Sequence, residues 1–328
     1  MRNKCCFIIP YFGVMPNYFQ LFLNSCKENK AFNWIIFTDD ETCYNYPSNV
    51  KKISMNMIEF KDLLLKKFDF TIRISNPHKL CDLKPAYGYI FEEYIKKYEF
   101  WGHCDVDLIF GKLSNFINDD LLEQYDKLFC LGHCIIYRNN FENNRVFMKA
   151  INGEEWYKES FQMEKTTAFD ETCGGTRNVN TIFLHYNKKV LMKDWSMNSL
   201  VSPANFIKVT YSGESDKFEI EKSLEAIYLW NQGSVIRYYF NENKFITEEF
   251  MYIHLQSRAM KIKSDIYKKK NYKILGNGFY LLEVDNVTKE NFKIIKKKII
   301  SLRYIKINIK WKINAIKRII FNKGCAKI

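Results

Sequence analysis

The sequence predicts an α/β fold with a parallel sheet that carries helices on its faces. Hydrophobic residues make up 47% and aromatic residues 16% of the 328 positions, which is typical of a folded globular chain. Through the first hundred residues, short apolar runs alternate with segments of helical spacing, and this order predicts βαβαβ units. No apolar run approaches about 18 residues, so no membrane span is predicted.

The predicted elements follow one another without a low-complexity linker. Strands are expected over 5–10, 33–38, 50–54, 100–104 and 128–137, and helices over 18–26, 57–67 and 85–98. Pro85 suits the first turn of the last helix, where its missing N–H costs nothing. Beyond residue 138 the periodicity weakens, and 223–230 fits either a helix or a strand. We therefore expect one domain over 1–290, with halves 1–137 and 138–290, and an appendage over 291–328.

Nearly all of the net charge lies in that appendage. Residues 291–328 hold twelve lysines or arginines and no acid, against a net charge of +13 for the whole chain. Isoleucines and Leu302 recur every three or four residues, which predicts a basic amphipathic helix that binds an anionic membrane surface. A helix packed on the body, a strand, and nucleic-acid binding are the alternatives. Nucleic-acid binding is the least favoured, because its charge would spread over a folded face.

The cysteines and the common motifs exclude several classes of protein. The ten cysteines include no CxxC pair, so reduced thiols in a cytosolic protein are favoured over a zinc site at Cys130, His133 and Cys134. The sequence contains no Gly-x-Ser-x-Gly, His-Glu-x-x-His, Walker A or Gly-x-Gly-x-x-Gly motif. The familiar hydrolase, metalloprotease, NTPase and dinucleotide-binding functions are therefore not indicated.

Acidic residues follow two of the predicted strands. Asp105 and Asp107 come directly after the buried strand 100–104, and Asp39 and Asp40 follow the strand 33–38. In open parallel sheets, ligands bind in the crevice beyond the carboxyl ends of the strands. Two carboxylates with one spacer can bracket Mg²⁺ or Mn²⁺ together with a diphosphate. The alternative is a set of solvated turn aspartates.

Other candidates carry complementary chemistry. Lys84 near a helix N-terminus suits a phosphate, His254 in an apolar run suits a third metal ligand, and Arg258 suits bidentate phosphate binding. Asp170 and Glu171 precede a glycine-rich turn, where a carboxylate suits the role of general base. The alternatives are that Lys84 is an ordinary exposed lysine, that His254 is a histidine of the core, and that Asp170 and Glu171 are an acidic pair on the surface.

Five segments together resemble bacterial GT-A glycosyltransferases encoded in capsule and surface-polysaccharide clusters. They are residues 9–13 (IPYFG), 36–40 (IFTDD), 79–88 (KLCDLKPAYG), 100–107 (FWGHCDVD) and 252–258 (YIHLQSR). The resemblance covers roughly residues 5–260. It implies a GT-A fold, that is, a Rossmann-like mixed sheet flanked by helices, with a nucleotide-sugar half followed by an acceptor half.

The resemblance also implies roles for single residues. Asp105 and Asp107 would hold Mn²⁺ or Mg²⁺ and the nucleotide diphosphate, and His254 would complete the metal shell. Residues of the nucleoside and donor sites would be Pro10, Tyr11, Asp39, Asp82 and Lys84. The base would be Asp170 or Glu171 if the enzyme inverts the anomeric centre.

These expectations combine into one function. The chain would transfer a sugar from a nucleotide-diphosphate donor, a UDP-hexose by resemblance, to a hydroxyl of a surface glycan or lipid-linked acceptor at the inner face of the cell membrane. A metal-dependent phosphohydrolase that uses Asp105 and Asp107 is one alternative. A non-enzymatic, membrane-associated binding protein is another, and it predicts that both aspartates can be replaced without loss of function.

Overall fold

The protein is a mixed α/β structure in the computed structural model. Residues 4–296 are described except for 173–174, 201–204, 214, 223 and 264, and of the later residues only Ile309 and Ile313 are described. The strands are β1 (Cys5–Pro10), β2 (Phe32–Thr38), β3 (Val50–Ser54), β4 (Phe100–Cys104), β5 (Leu108–Phe110), β6 (Lys127–Leu128), β7 (Cys134–Arg138), β8 (Val190–Leu191), β9 (Val209–Ser212), β10 (Lys217–Ile220), β11 (Ala226–Asn231), β12 (Ser234–Asn241), β13 (Lys244–Phe250), β14 (Tyr252–His254), β15 (Asn271–Leu275) and β16 (Gly278–Tyr280). The α-helices are α1 (Phe19–Glu28), α2 (Met57–Lys67), α3 (Leu80–Leu83), α4 (Tyr87–Ile90), α5 (Glu92–Ile95), α6 (Asp119–Gln124), α7 (Trp156–Gln162), α8 (Val179–His185) and α9 (Phe292–Ile295).

The main sheet has seven strands in the order β3-β2-β1-β4-β7-β6-β8. The strands β3, β2, β1 and β4 are parallel, and β7 is antiparallel to both β4 and β6. The α/β class and the first four strands are thus confirmed, although the sheet is mixed rather than wholly parallel. The single strand predicted over 128–137 is wrong. Phe129 has a φ of 71°, a left-handed backbone that ends β6, and the loop 129–133 separates it from β7.

Both faces of the main sheet are covered by apolar side chains. Successive side chains of a strand point to opposite faces, so Phe7 and Ile8 of β1 enter different cores. The predicted helices α1 and α2 are confirmed, and α2 begins with a capping box between Asn56 and Glu59. The parallel pairing therefore brings the carboxyl ends of β1, β2 and β4 to one edge of the sheet.

The continuous helix predicted over 85–98 is wrong. Residues 84–86 form a 3₁₀ turn, and two short helices, α4 and α5, follow it. The break falls at Phe91, which is fully buried with its ring 4.3 Å from that of Phe37. We attribute the interruption to tertiary packing, which overrides the local helical pattern here.

A second, antiparallel sheet with the order β13-β12-β11-β15-β16 follows the main sheet in the chain. The ambiguous segment 223–230 is thus largely strand β11. The short helix α9 packs on this sheet through the buried Phe292 and Ile295. Helix α9 thus packs on the second sheet, and the domain boundary expected at 290 stays a prediction.

The basic amphipathic helix predicted within 291–328 lies largely outside the described residues. Ile309 and Ile313 are both helical and exposed. In the part of the chain that the structure describes, no helix has both the length and the apolar character needed to cross a membrane.

Candidate functional site

The two aspartates of the Asp-Val-Asp segment lie where β4 ends and the short strand β5 begins. The N–H of Asp105 donates to the carbonyl of His133, 3.0 Å away, which ties the segment to the loop after β6. Tyr11 follows β1, the parallel neighbour of β4, and Asp39 follows β2, the next parallel strand beyond β1. The structure thus places Asp105, Tyr11 and Asp39 along the same edge of the sheet.

Strand β14 brings His254 to the aspartates from a distant part of the chain. It pairs with β5 in an antiparallel register that sets His254 opposite Leu108, the neighbour of Asp107. Asp105, Asp107 and His254 each present a ligand atom within 4.8 Å of the other two. Among the described residues, they form the one group of three or more such side chains.

Asp107 is a buried carboxylate with defined partners on both oxygens. Its Oδ2 accepts a hydrogen bond from the N–H of Ser257 at 2.6 Å, and its Oδ1 lies 3.3 Å from Nε2 of His254. Burial opposes ionisation, but the contacts with His254 and Ser257 outweigh it and hold the pKa of Asp107 well below its ordinary value. Asp107 is therefore ionised at neutral pH.

His254 is also buried, and its pKa is raised. Burial alone would lower the pKa, but the neighbouring charge and hydrogen bond of Asp107 outweigh burial. The ring of His133 lies 4.6 Å from the ring of His254, and Nδ1 of His133 is 2.7 Å from the hydroxyl of Tyr252. The imidazole of His254 is therefore packed in place.

Lys84 stands between two carboxylates. Its Nζ is 2.7 Å from Asp105 and 3.4 Å from Asp170, and it donates to the carbonyl of Gly132 at 2.9 Å. These contacts bring Asp170 to the other side of the same lysine that contacts Asp105. The phosphate-binding role expected for Lys84 stays a prediction, and in the structure its ammonium group is held by carboxylates of the chain itself.

Asp170 and Glu171 lie against the loop after β6. The N–H of Gly132 donates to Glu171 at 3.0 Å, and a Cβ at Gly132 would lie 2.2 Å from Oδ2 of Asp170, so the approach requires glycine. Burial raises the pKa of Asp170 to about 7; Lys84 opposes this rise, and the charges of Glu171 and Asp105 add to it. A carboxyl group with this pKa can exchange a proton near neutral pH.

The β1–α1 loop forms another part of the same edge. It begins at Pro10, the last residue of β1, and the N–H of Tyr11 donates to the carbonyl of Phe37. The exposed Asp39 accepts a hydrogen bond from the N–H of Gly13 at 2.7 Å. The pKa of Tyr11 is raised first by burial and then by the negative charges of Asp107 and Asp40.

The donor-binding role expected for Asp82 needs correction. Its side chain is fully buried and accepts hydrogen bonds from Lys79 at 2.6 Å and from the N–H groups of Thr167 and Phe169 at 3.0–3.1 Å. These contacts leave it directed into the protein. Asp82 therefore holds the segment that leads to Asp170, and its side chain is not accessible to a donor.

Arg258 has its guanidinium engaged by the protein. It donates to the carbonyls of Leu255 and Leu200 at 2.9 and 2.6 Å and lies over the ring of Phe206. Burial lowers the pKa of Arg258 to about 10, and the charge of Asp107 opposes that shift. The arginine therefore lies near the cluster and remains cationic at neutral pH.

Comparison with known proteins gives a family without an established activity. The family model of DUF6625, described as a family of unknown function, matches residues 7–283. The chain belongs to this family. No curated protein matches the sequence. Among solved structures, the galactosyltransferase LgtC in complex with donor and acceptor sugar analogues is similar at 10% identity and a TM-score of 0.33, over 59% of this chain and 75% of that chain. Likeness at this level does not decide between fold families.

Several residues of the site were not among those that the sequence predicted for it. His133 was considered only for a zinc site, and Asn198 and Gly132 lie in no segment that the sequence singles out. Ser257 lies in the segment 252–258, but no role was expected for it. Their contacts with Asp105, Asp107, His254 and Lys84 join parts of the chain that are far apart in sequence. Periodicity and motif spacing carry no signal for such contacts.

Replacement of Asp170 by asparagine should change how stability depends on pH. Between pH of about 4 and about 7, folded Asp170 holds a proton that the unfolded carboxyl has lost, so the wild-type protein loses stability as pH rises. D170N removes this loss. The melting temperature of D170N minus that of wild type should therefore increase across this window and then level off, as measured by thermal unfolding at several pH values.

The exposed Asp120 provides the matched control. D120N should show a melting-temperature difference from wild type that does not change over the same window. Lys127, whose pKa burial lowers to about 7, is present in all three proteins, and only the part of that pKa that the charge of Asp170 raises changes in D170N. A D170N difference as flat as that of D120N would contradict the raised pKa.

Proposed function

We propose that this chain is a metal-dependent GT-A glycosyltransferase that uses a nucleotide-diphosphate sugar, with a UDP-hexose as the expected donor. The observation that supports this proposal most strongly is the meeting of Asp105, Asp107 and His254 at the carboxyl edge of the sheet. The segments that resemble surface-polysaccharide glycosyltransferases supply these three residues. The acceptor in this proposal is a hydroxyl of a growing surface glycan or a lipid-linked glycan.

The donor set suits a hard divalent cation. Two carboxylates and one imidazole are ligands that Mn²⁺ accepts, and Mg²⁺ accepts the carboxylates. Asp105 has 31% of its side chain exposed, against 11% for Asp107 and 9% for His254, so one ligand faces the cleft and two are fixed in the protein. When bound, the cation would neutralise the charge that develops on the leaving diphosphate.

The remaining residues of the edge would hold the donor and move a proton. Pro10, Tyr11 and Asp39 shape the wall next to the cluster, where a nucleoside would lie. Arg258 keeps its charge near Asp107 and would add positive potential for phosphate oxygens. Asp170, with its pKa of about 7, is a better candidate than Glu171 for the residue that takes up a proton. Because Asp170 is buried, the proton of the acceptor hydroxyl would have to reach it through Lys84 or a water molecule.

The structure gives less support to the two alternatives. A phosphohydrolase with two metal ions needs more ligands than one carboxylate pair and one histidine, and the described residues show one cluster of three. A binding protein without catalysis gives no reason for two carboxylates to be held near one imidazole in a largely buried site. Sugar transfer is therefore the function that the geometry supports best.

Thermal unfolding with nucleotides tests the donor site. The melting temperature should rise with one nucleoside diphosphate among UDP, GDP, CDP and TDP, and only when Mn²⁺ is present, because the cation would join the phosphates to the aspartates. At a ligand concentration of roughly 100 times Kd, binding adds about 2.7 kcal/mol to stability, which is a shift of several degrees.

Two aspartate variants make this test specific. D107N should lose the metal-dependent part of the shift, whereas D120N, at an exposed position of α6, should retain it. With the matching nucleotide sugar, wild type but not D107N should consume the donor. Folded wild-type protein that shows no shift with any diphosphate and Mn²⁺ would contradict the proposal.

We further propose that the segment beyond α9 holds the enzyme at the cytoplasmic face of an anionic membrane. The full chain should sediment with vesicles that contain anionic lipid and not with neutral vesicles, because the basic residues of 297–328 supply the attraction. A chain of residues 1–296, which keeps the packed helix α9, should stay in the supernatant with both. Equal sedimentation of the two chains would contradict this role.

A further inference from the structure

One short segment of the body carries a concentration of positive charge that the overall charge conceals. Of the net charge of +13, twelve positive charges lie in residues 291–328, so residues 1–290 are close to neutral. Within this nearly neutral part, residues 261–270 hold five lysines and one acid, Asp265. All five lysines are exposed, and together we call them the lysine patch: Lys261, Lys263, Lys268, Lys269 and Lys270. The remainder of 1–290 is therefore net acidic.

The ammonium groups of the lysine patch are not neutralised by the protein. In the part of the chain that the structure describes, none of the five lies within 4.0 Å of a carboxylate. Lys273, which follows the patch closely in sequence, is buried and pairs with Glu283, and the half-buried Lys208 pairs with Glu248. The charges of the patch are therefore available to an anion from outside the chain.

The backbone under the lysine patch is fixed to the body. The side chain of Ile266, between the two groups of lysines, is fully buried. The N–H of Lys261 donates to the carbonyl of Asn277 at 2.8 Å, and the N–H of Gln232 donates to the carbonyl of Lys270 at 2.7 Å. Because these contacts hold the backbone in place before any ligand binds, only the lysine side chains would lose freedom on binding.

The lysine patch lies beside the edge of the sheet that carries the aspartates. Asn17 of the β1–α1 loop donates from Nδ2 to the carbonyl of Met260 at 2.8 Å and accepts a hydrogen bond from the hydroxyl of Tyr267 at 2.9 Å. Ser257, four residues before the patch, donates its N–H to Asp107. A ligand on the patch would therefore lie next to the proposed donor site.

The side chains of 261–270 fit a chain of repeated negative charges. Exposed lysines spread over ten residues do not converge on a single anion. A membrane contact usually adds apolar side chains that enter the lipid, but Ile262 is half-buried and Ile266 is buried. Single-stranded nucleic acid usually stacks on aromatic rings, and the one ring here, that of Tyr267, is half-buried. A glycan with charged groups along its length requires neither feature.

We propose that the lysine patch binds the acceptor, and that this acceptor is a glycan with repeated negative charges, either carboxylates or phosphates. The acceptor role rests on the proposed function, because it takes sugar transfer as the reaction beside the patch. Binding of an anionic glycan to the patch needs neither a donor nor a metal, so it can be measured separately.

Binding of labelled oligomers to the full chain, followed by fluorescence anisotropy, tests the patch. An oligogalacturonate supplies carboxylates and a glycerol-phosphate oligomer supplies phosphates. At least one of them should bind, and a neutral maltooligosaccharide of the same length should not. The variant K268Q/K269Q/K270Q should weaken binding by about 10-fold to 100-fold and make it less sensitive to salt, because three unpaired charges are removed.

A matched control removes the same charge elsewhere. K51Q/K61Q/K66Q replaces three exposed lysines of β3 and α2 and should bind the oligomers as wild type does. Lysine acylation followed by mass spectrometry locates the contact in the wild-type chain. The bound oligomer should protect the lysine patch and leave Lys61 and Lys66 as reactive as before. This footprint separates the patch from the basic residues of 297–328, which are present in every variant.

Several results would overturn the inference. These are wild-type protein that binds neither anionic oligomer, a loss of affinity that is equal in the two triple variants, and a footprint that leaves the patch unprotected. Patch-dependent binding that is tighter for anionic vesicles or a single-stranded oligonucleotide than for both oligomers would also overturn it, because the partner would then belong to another class.

The same measurements separate this inference from the proposed function. Consumption of a nucleotide sugar without patch-dependent binding would overturn the inference and leave the proposed function standing. Patch-dependent binding of an anionic oligomer would support the patch as a glycan-binding surface even if no nucleotide sugar were consumed. Where transfer to the oligomer occurs, K268Q/K269Q/K270Q should raise KM for the acceptor and leave kcat unchanged.

Discussion

The pairing of β5 with β14 is the constraint on which the site depends. It sets His254 opposite Leu108 and therefore beside Asp107, and the N–H of Leu255 donates to the carbonyl of Asp107 at 2.9 Å to extend the contact. A slip of one residue in this register would turn His254 to the other face of the strand. The buried Ile109 and Ile253, which face each other in the pairing, make such a slip costly.

A second constraint is the balance of charge among side chains that are largely buried. Asp105, Asp107 and Asp170 bring three carboxyl groups to the region, and unpaired buried charges cost several kcal/mol each. The positive charge of Lys84 offsets the negative charges of Asp105 and Asp170, and His254 offsets that of Asp107. The raised pKa of Asp170 also keeps a fraction of this carboxyl group protonated and uncharged. The fold therefore tolerates the cluster without a metal, while the half-buried Asp105 leaves room for a cation to be added.

The sequence predicted the elements of this site better than their connections. Asp105, Asp107 and His254 were found because a strand, a spacing and a resemblance each pointed to them, and the strands that carry them have clear apolar patterns. Asp82 was assigned to the donor site through the resemblance of its segment, which also holds Lys84, yet its side chain lies in a buried network. Asn198 could not be found, because its partner Gln256 lies in a turn whose left-handed backbone has no glycine to mark it.

Anomalous diffraction from crystals soaked in Mn²⁺ tests the central claim most directly. The account predicts a manganese peak bonded to carboxylate oxygens of Asp105 and Asp107 and to Nε2 of His254, with Nδ1 of His254 still facing Asn198. D107N crystals soaked in the same way should lose the peak. A well-ordered wild-type site without manganese, or a peak held by other residues, would contradict the claim that this strand register builds a metal centre.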